Sequence, residues 1–204
     1  MKVIEQQLIN AGISPIAGVD EAGRGACAGP LVIAALILKD LSDPGLEQVR
    51  DSKELSENKR EQIFDQILAL ASSVNIVIVP AQEVDSRGVH AANIDGMRRA
   101  VHGLDQIPAY VLTDGYAIEG LAVPNLAVWK GDQVAVTISA ASIIAKVTRD
   151  RIMREMDIIY PAYGFAGHKG YITAAHTKAL IKNGVCIEHR RSFSNIAALI
   201  HREI

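Results

Sequence analysis

The eight residues Leu31–Leu38, LVIAALIL, constrain this chain more than any other stretch. A run this apolar has no polar face to turn to water. It reads as a buried strand, and the apolar segment 16–20 just before it reads as its partner. A strand without a wet face needs helices to cover it, and the chain supplies them. Ser56 reads as an N-cap with Glu57 in the first turn. Ile63, Phe64, Ile67, Leu68 and Ala71 then recur at helical spacing, so 57–72 is an amphipathic helix. Ile94, Met97, Val101 and Leu104 form a second stripe across 92–104. Residues 134–158 read as one long helix or two consecutive ones, with further helical stretches at 173–183 and 194–203. Strands are expected at 74–79, closed by Pro80, and at 110–113, and 121–129 is extended with a proline break. Strands come first as neighbours and then alternate with helices. That order predicts an α/β fold, a mixed β-sheet flanked by helices, with a small helical C-terminal part.

No internal repeat or linker breaks the 204 residues, so 1–204 is expected to be one domain. The hydrophobic fraction of 49% and the charged fraction of 22% exclude a disordered chain. Cys27 and Cys186 have no C-x-x-C partner, which excludes a thiolate metal site and fits a reducing cytosol. No apolar run reaches the roughly 18 residues of a membrane span, and the opening MKVIEQQLINAG lacks the apolar centre of a signal peptide. A cytoplasmic location is therefore expected, without a membrane partner. The net charge of −2 excludes a generally basic nucleic-acid coat, but it is unevenly spread. Residues 161–204 hold Lys169, Lys178, Lys182, Arg190, Arg191 and Arg202 against Glu188 and Glu203, and the acidic excess lies in 1–160. Four of the nine aromatic residues, Tyr160, Tyr163, Phe165 and Tyr171, crowd around Gly164, Gly167 and Gly170 in the same basic segment. A glycine-punctuated loop of aromatics with His and Lys suits nucleic-acid contact, and equally a loop pinned by core aromatics.

Three acidic sites share one placement. Asp20-Glu21 follows the strand IAGVD, Asp114 follows YVLTD and Asp132 follows LAVWKGD. In α/β sheets ligand chemistry collects at strand ends. A carboxylate at the end of a buried strand needs a positive partner to offset its desolvation, and a divalent cation is one. Oxygen ligands with no His or Cys beside them point to Mg²⁺ or Mn²⁺ rather than zinc. Clustered carboxylates can hold two such ions about 4 Å apart, an arrangement that activates water against a phosphodiester. Asp150, between Arg149 and Arg151 in a helical stretch, is a rival for the fourth carboxylate. A solvated or salt-bridged face explains it better.

Ala22-Gly23-Arg24-Gly25 follows the first acids. It leads into another strand, so it is not a dinucleotide fingerprint, and it lacks the Gly-Lys-Ser/Thr ending of a phosphate loop. It reads as a backbone clamp beside the metal site or as a plain hairpin turn.

The ordered set VDEAGRG at 19–25, Asp51-Ser52-Lys53, Asp114-Gly115, Lys130-Gly131-Asp132, AASIIAK at 140–146 and His168-Lys169-Gly170-Tyr171 resembles the ribonuclease HII family over nearly the whole chain. The resemblance implies a ribonuclease H-like fold. It implies endonucleolytic cleavage of RNA in RNA/DNA hybrids and nicking 5′ of single ribonucleotides in duplex DNA, by two metal ions, Mg²⁺ or Mn²⁺. The family's four catalytic carboxylates map onto Asp20, Glu21, Asp114 and Asp132. Its clamp on the ribose 2′-hydroxyl maps onto Gly23, Arg24 and Gly25, and its junction-stacking tyrosine onto Tyr171. Lys53, Ser142, Lys146, His168 and Lys169 match positions near the phosphates. The partners implied are RNA/DNA hybrid duplexes and DNA containing ribonucleotides, with the chain a monomer and 161–204 contacting substrate. A junction resolvase, a transposase-like enzyme, a non-catalytic binding protein and a phosphotransferase are the competing readings. The first two have no use for a 2′-hydroxyl clamp, the third none for intact carboxylates, and the last lacks its loop.

Overall fold

A computed structural model describes residues 2–49 and 56–200. Five strands form one sheet in the order β3-β2-β1-β4-β5. β1 (Ile16–Ala22) and β2 (Leu31–Leu38) pair antiparallel, as the apolar runs predict, with Ala17 opposite Ile37 and Ala22 opposite Val32. β3 (Ala71–Val79) adds antiparallel to β2, whereas β4 (Tyr110–Asp114) and β5 (Asn125–Val128) add parallel on the other side of β1. The sheet is mixed, as expected.

Every residue of β2 is buried, and its alternating side chains explain why. Leu31, Ile33, Ala35 and Ile37 pack with Val84 of α3 (Ala81–Arg87) and with Ala92, Met97 and Ala100 of α4 (Val89–His102). Ala34, Leu36 and Leu38 pack on the opposite face. Their partners there are Ile63, Phe64 and Ile67 of α2 (Glu57–Leu70) and Ala140, Ala141 and Ile144 of α6 (Val136–Ile159). Ser56 does cap α2, its hydroxyl accepting from the Lys59 N–H at 3.3 Å. The expected stretch at 134–158 resolves into α5 (Gly131–Val134) and α6, separated by an extended Ala135. α7 (Phe165–His168), α8 (Ala174–Asn183) and α9 (Ser194–Ile200) cluster with Cys27, Met153 and Tyr163 at one end of the molecule.

Neither α3 nor α1 carries a sequence expectation. α3 follows Pro80 directly. α1 (Val3–Asn10), on a segment read only for its lack of a signal core, lays Ile4, Leu8 and Ile9 against Ile16, Leu112 and Ile138.

α6 lies hard against β1. A Cβ on Gly18 would stand 2.2 Å from the Thr137 carbonyl carbon, a backbone atom that cannot step aside. Gly18→Ala is therefore expected to lower stability by about 2 kcal/mol or more through overpacking, read from the urea midpoint. An unchanged midpoint would mean that α6 does not set the β1 interface.

Candidate active site

The parallel pairing of β1 with β4 places Val19 beside Thr113, so the strand ends at Asp20 and Asp114 lie side by side. Strand alternation then sends the two β1 acids to opposite faces. Asp20 turns to the α6 side, where the Ser142 hydroxyl hydrogen-bonds it. Glu21 turns to the α4 side, towards the buried Asn93, whose amide nitrogen and oxygen make no hydrogen bond among the described residues. Asp20 Oδ1 also accepts the Glu21 N–H at 2.7 Å. Asp114 Oδ1 accepts the Gly131 N–H at 2.7 Å, and the next residue along is the buried Asp132. Lys130, just before, sits in the left-handed region at φ 53° and turns the chain out of β5 into α5.

Burial pushes the Asp20 carboxyl well above the usual carboxylate range, and the charges of Glu21 and Asp114 push it further. Burial likewise raises Glu21 to about 7; the Arg24 guanidinium pulls it down and Asp114 pushes it up. Glu21 Oε2 is buried with no hydrogen-bond partner among the described residues. Carboxyls forced together out of water in an all-oxygen donor set fit a hard divalent cation. Among the described residues no three His, Cys, Asp or Glu side chains already converge on one metal position. Asp20 and Asp114 each turn an oxygen onto a backbone N–H instead.

A sequence profile of the ribonuclease HII family matches residues 17–196, which takes in all four carboxylates. The chain belongs to the ribonuclease HII family. It is 55% identical to the ribonuclease HII of Rhodococcus opacus (strain B4), over 99% of this chain and 89% of that one. To the Mycolicibacterium smegmatis ribonuclease HII it is 53% identical, over 96% of this chain and 72% of that one. The crystal structure of ribonuclease H2 from Pyrococcus horikoshii OT3 superposes with a TM-score of 0.80 at 26% identity, covering 92% of this chain and 97% of that one. The fold is shared too with Bst-RNase HIII, solved in complex with Mn²⁺, at a TM-score of 0.68 and 16% identity over 92% of this chain and 69% of that one. As a member of the ribonuclease HII family the chain is a metal-dependent endonuclease, a hydrolase of phosphodiester bonds.

Next to the carboxylates, the glycine turn of this ribonuclease HII chain is held from inside. Gly23 is buried at φ 89°, and a Cβ there would lie 1.9 Å from Arg149 Nε, so only glycine fits. Gly25 is exposed, with nothing within 4 Å of the place a Cβ would take. The Arg24 guanidinium lies over the Tyr116 ring at 4.6 Å. Arg149, fully buried, donates to the carbonyls of Pro30 at 2.9 Å, Ala28 at 3.0 Å and Lys169 at 2.8 Å. Arg190, also fully buried, donates to the Arg24 carbonyl at 3.1 Å and twice to that of Gly29. Sequence reading gave Arg149 no role and counted Arg190 only within the basic segment 161–204; the structure buries Arg190 against the turn. Asn93 was missed as well, because nothing in its helical context marks an amide facing a carboxylate.

Tyr171 leaves this scaffold half-exposed, with the Arg149 guanidinium 5.5 Å from its ring centre. Lys169 Nζ donates to the Ala166 carbonyl and stands 3.6 Å from Glu57. Lys146 Nζ bonds Asp150 at 2.6 Å, so Asp150 is salt-bridged as read, though buried rather than solvated. Lys53 falls outside the described residues.

A buried histidine chain supports the Tyr171 loop. The Cys186 N–H donates to His189 Nδ1 at 3.0 Å, the two Nε2 atoms of His189 and His176 meet at 3.1 Å, and His176 Nδ1 reaches the Tyr171 carbonyl at 3.0 Å. The ends fix the tautomers: His189 Nδ1 accepts, so its Nε2 donates, and His176 Nδ1 donates to the carbonyl. Both rings are then neutral. His168 stacks on His176 at 4.1 Å, donates to the Tyr163 carbonyl and accepts the Gly170 N–H. Burial, with the neighbouring His176, lowers His189 to about 4, and burial lowers His176. Cys27, Cys186, Tyr163 and Phe165 line the same pocket.

A histidine with a depressed folded pKa adds stability above its unfolded value near 6.5 and loses it as pH falls from there. The raised carboxyls act in the opposite sense, so the comparison must isolate the ring. The stability advantage of wild type over His189→Gln is expected to shrink between about pH 7.5 and about pH 5, read from paired urea titrations. A constant advantage would show that the ring is not held neutral.

Proposed function

We propose that this chain cleaves the RNA strand of RNA/DNA hybrids and nicks duplex DNA on the 5′ side of a single embedded ribonucleotide. The observation that carries this reading is the turn at 23–25. It continues the strand that bears Asp20 and Glu21, ends in the exposed Gly25, is bonded at the Arg24 carbonyl by the buried Arg190, and has the buried Arg149 packed against Gly23. The 2′-hydroxyl is what distinguishes a ribonucleotide within DNA. A rigid backbone turn within reach of the carboxylates can test for that hydroxyl without a side chain in the way.

Asp20, Glu21, Asp114 and Asp132 are the residues we assign to hold Mg²⁺ or Mn²⁺. Two such ions, when bound, supply a water of lowered pKa for in-line attack and stabilise the departing 3′-oxygen, giving 5′-phosphate and 3′-hydroxyl ends. Ser142 orients Asp20, and Gly131 orients Asp114. We assign Tyr171, exposed beside Gly170, to stack on the sugar of the following deoxynucleotide and so to read the junction. Lys146, His168, Lys169 and Lys53 are assigned to the phosphates on the resemblance alone. We read the protein as a cytoplasmic monomer; among the described residues no helix is long and apolar enough to cross a membrane.

The direct test is a 5′-labelled DNA duplex with one ribonucleotide, incubated with Mg²⁺, Mn²⁺ or EDTA. A metal-dependent nick 5′ of the ribonucleotide, absent from an all-DNA control, is expected. Cleavage of the all-DNA duplex would remove the 2′-hydroxyl role from the glycine turn, and binding without cleavage would favour the non-catalytic reading. In the same assay Asp114→Asn should lose at least two decades of rate, about 3 kcal/mol in the barrier, with duplex binding kept. Residual activity above about a tenth would remove Asp114 from the ligand set. Tyr171→Ala should slow nicking at a lone ribonucleotide while barely moving the melting temperature. Parallel losses of both would make it a core residue.

A further inference from the structure

We infer that Glu5, on the first helix, is a positioning residue for the metal site: through the cap of α6 it fixes the segment that carries Asp132. The inference rests on the assignment of Asp132 as a metal ligand.

Glu5 is fully buried on α1. Its Oε2 accepts the Val136 N–H at 3.0 Å, and its Oε1 accepts both the Thr137 N–H and the Thr137 hydroxyl at 2.8 Å. These are the first N–H groups of a 24-residue helix whose own N-cap position, Ala135, has no side chain able to cap. Glu5 thus caps α6 from 131 residues away in sequence, and its negative charge faces the positive end of the helix dipole.

The segment between β5 and α6 is short and fixed at each end. It leaves β5 through the left-handed Lys130 and attaches to the site through the Gly131 N–H on Asp114. It closes on itself through the Ala135 N–H to the Gly131 carbonyl at 2.8 Å. Then it enters α6 at the two residues that Glu5 holds. Lys2, at the other side of the same helix start, donates to the carbonyls of Asp132 and Gln133. Of these attachments, Glu5 alone contributes a buried carboxylate, and the N–H groups it holds, those of Val136 and Thr137, lie four and five residues after Asp132. Groups that orient a metal ligand from behind typically change metal affinity about ten- to a hundredfold when altered.

Glu5→Gln keeps the shape and one acceptor, but turns an NH₂ group towards a backbone donor. Mn²⁺ alone is the probe, titrated into the full chain and followed by loss of the free aqua-ion EPR signal. Leu8→Ala is the control, because Leu8 anchors the same helix without touching α6 N–H groups or metal ligands. The expected result is that Glu5→Gln weakens Mn²⁺ binding by about tenfold, while Leu8→Ala, at comparable loss of melting temperature, stays within about twofold of wild type. Wild-type affinity in Glu5→Gln, or equal weakening in both variants, would overturn the inference and leave Glu5 a structural cap. Absence of Mn²⁺ binding by the wild type would overturn the metal-site assignment itself. If Glu5→Gln does not fold, Thr137→Val, which removes one of the three donors that the start of α6 gives to Glu5, decides by the same comparison, with about threefold weakening expected.

Discussion

Arg149 leaves the middle of α6 and gives its guanidinium to three backbone carbonyls, those of Ala28, Pro30 and Lys169. Among the described residues no carboxylate is hydrogen-bonded to it, and burial lowers its pKa while the charges of Tyr171 and Asp150 pull it up. A cation in the interior is costly unless its donors are satisfied, and here carbonyl dipoles satisfy them. The arrangement joins three parts that are far apart in sequence: the segment after the glycine turn, the start of β2 and the loop before Tyr171. Arg190 repeats the device from the other side, on the carbonyls of Arg24 and Gly29, with its pKa pushed down to about 10. Removing either guanidinium would strand several buried carbonyls at once. The shape of the segment after the glycine turn and of the loop before Tyr171 is therefore set from behind, by buried side chains.

The carboxylates depend on the same helix. α6 packs on β1 closely enough to require Gly18, and that closeness brings Ser142 to Asp20. Its N-terminus receives the segment that carries Asp132, and its later turns carry Lys146, Asp150 and Arg149. A single helix of 24 residues thus sets the acids towards one end of β1 and the glycine turn just beyond it in a common frame. Burial raises Asp20 and Glu21, and the charge of Asp114 raises both further, which is the electrostatic cost of assembling anions out of water.

Periodicity made the sheet readable. β2 agrees with its apolar run residue for residue, and the helix stripes at 57–72 and 92–104 fall within two or three residues of α2 and α4 at either end. The acids were legible because an Asp closing a buried strand contradicts its surroundings. What escaped was what periodicity cannot carry. α1 is short and its decisive residue, Glu5, is an ordinary acid until the chain folds it against α6. Asn93 sits in a regular helical pattern, and its meeting with Glu21 is a fact of packing. The histidines at 176 and 189 have no ligand spacing because they bond to each other and to backbone, not to a metal.

Charge counting was the least informative reading, and the reason is physical. Six cations in 161–204 suggest a phosphate grip. Arg190 is buried, Lys169 is shared between a carbonyl and Glu57, and Lys178, Lys182 and Arg191 face water. A protein of net charge −2 gains little from long-range attraction to a polyanion. Discrimination has to come from groups already in place at contact, since those lose no ordering entropy on binding. A turn bonded by the buried Arg190 and backed at Gly23 by the buried Arg149 meets that condition, and an exposed lysine does not.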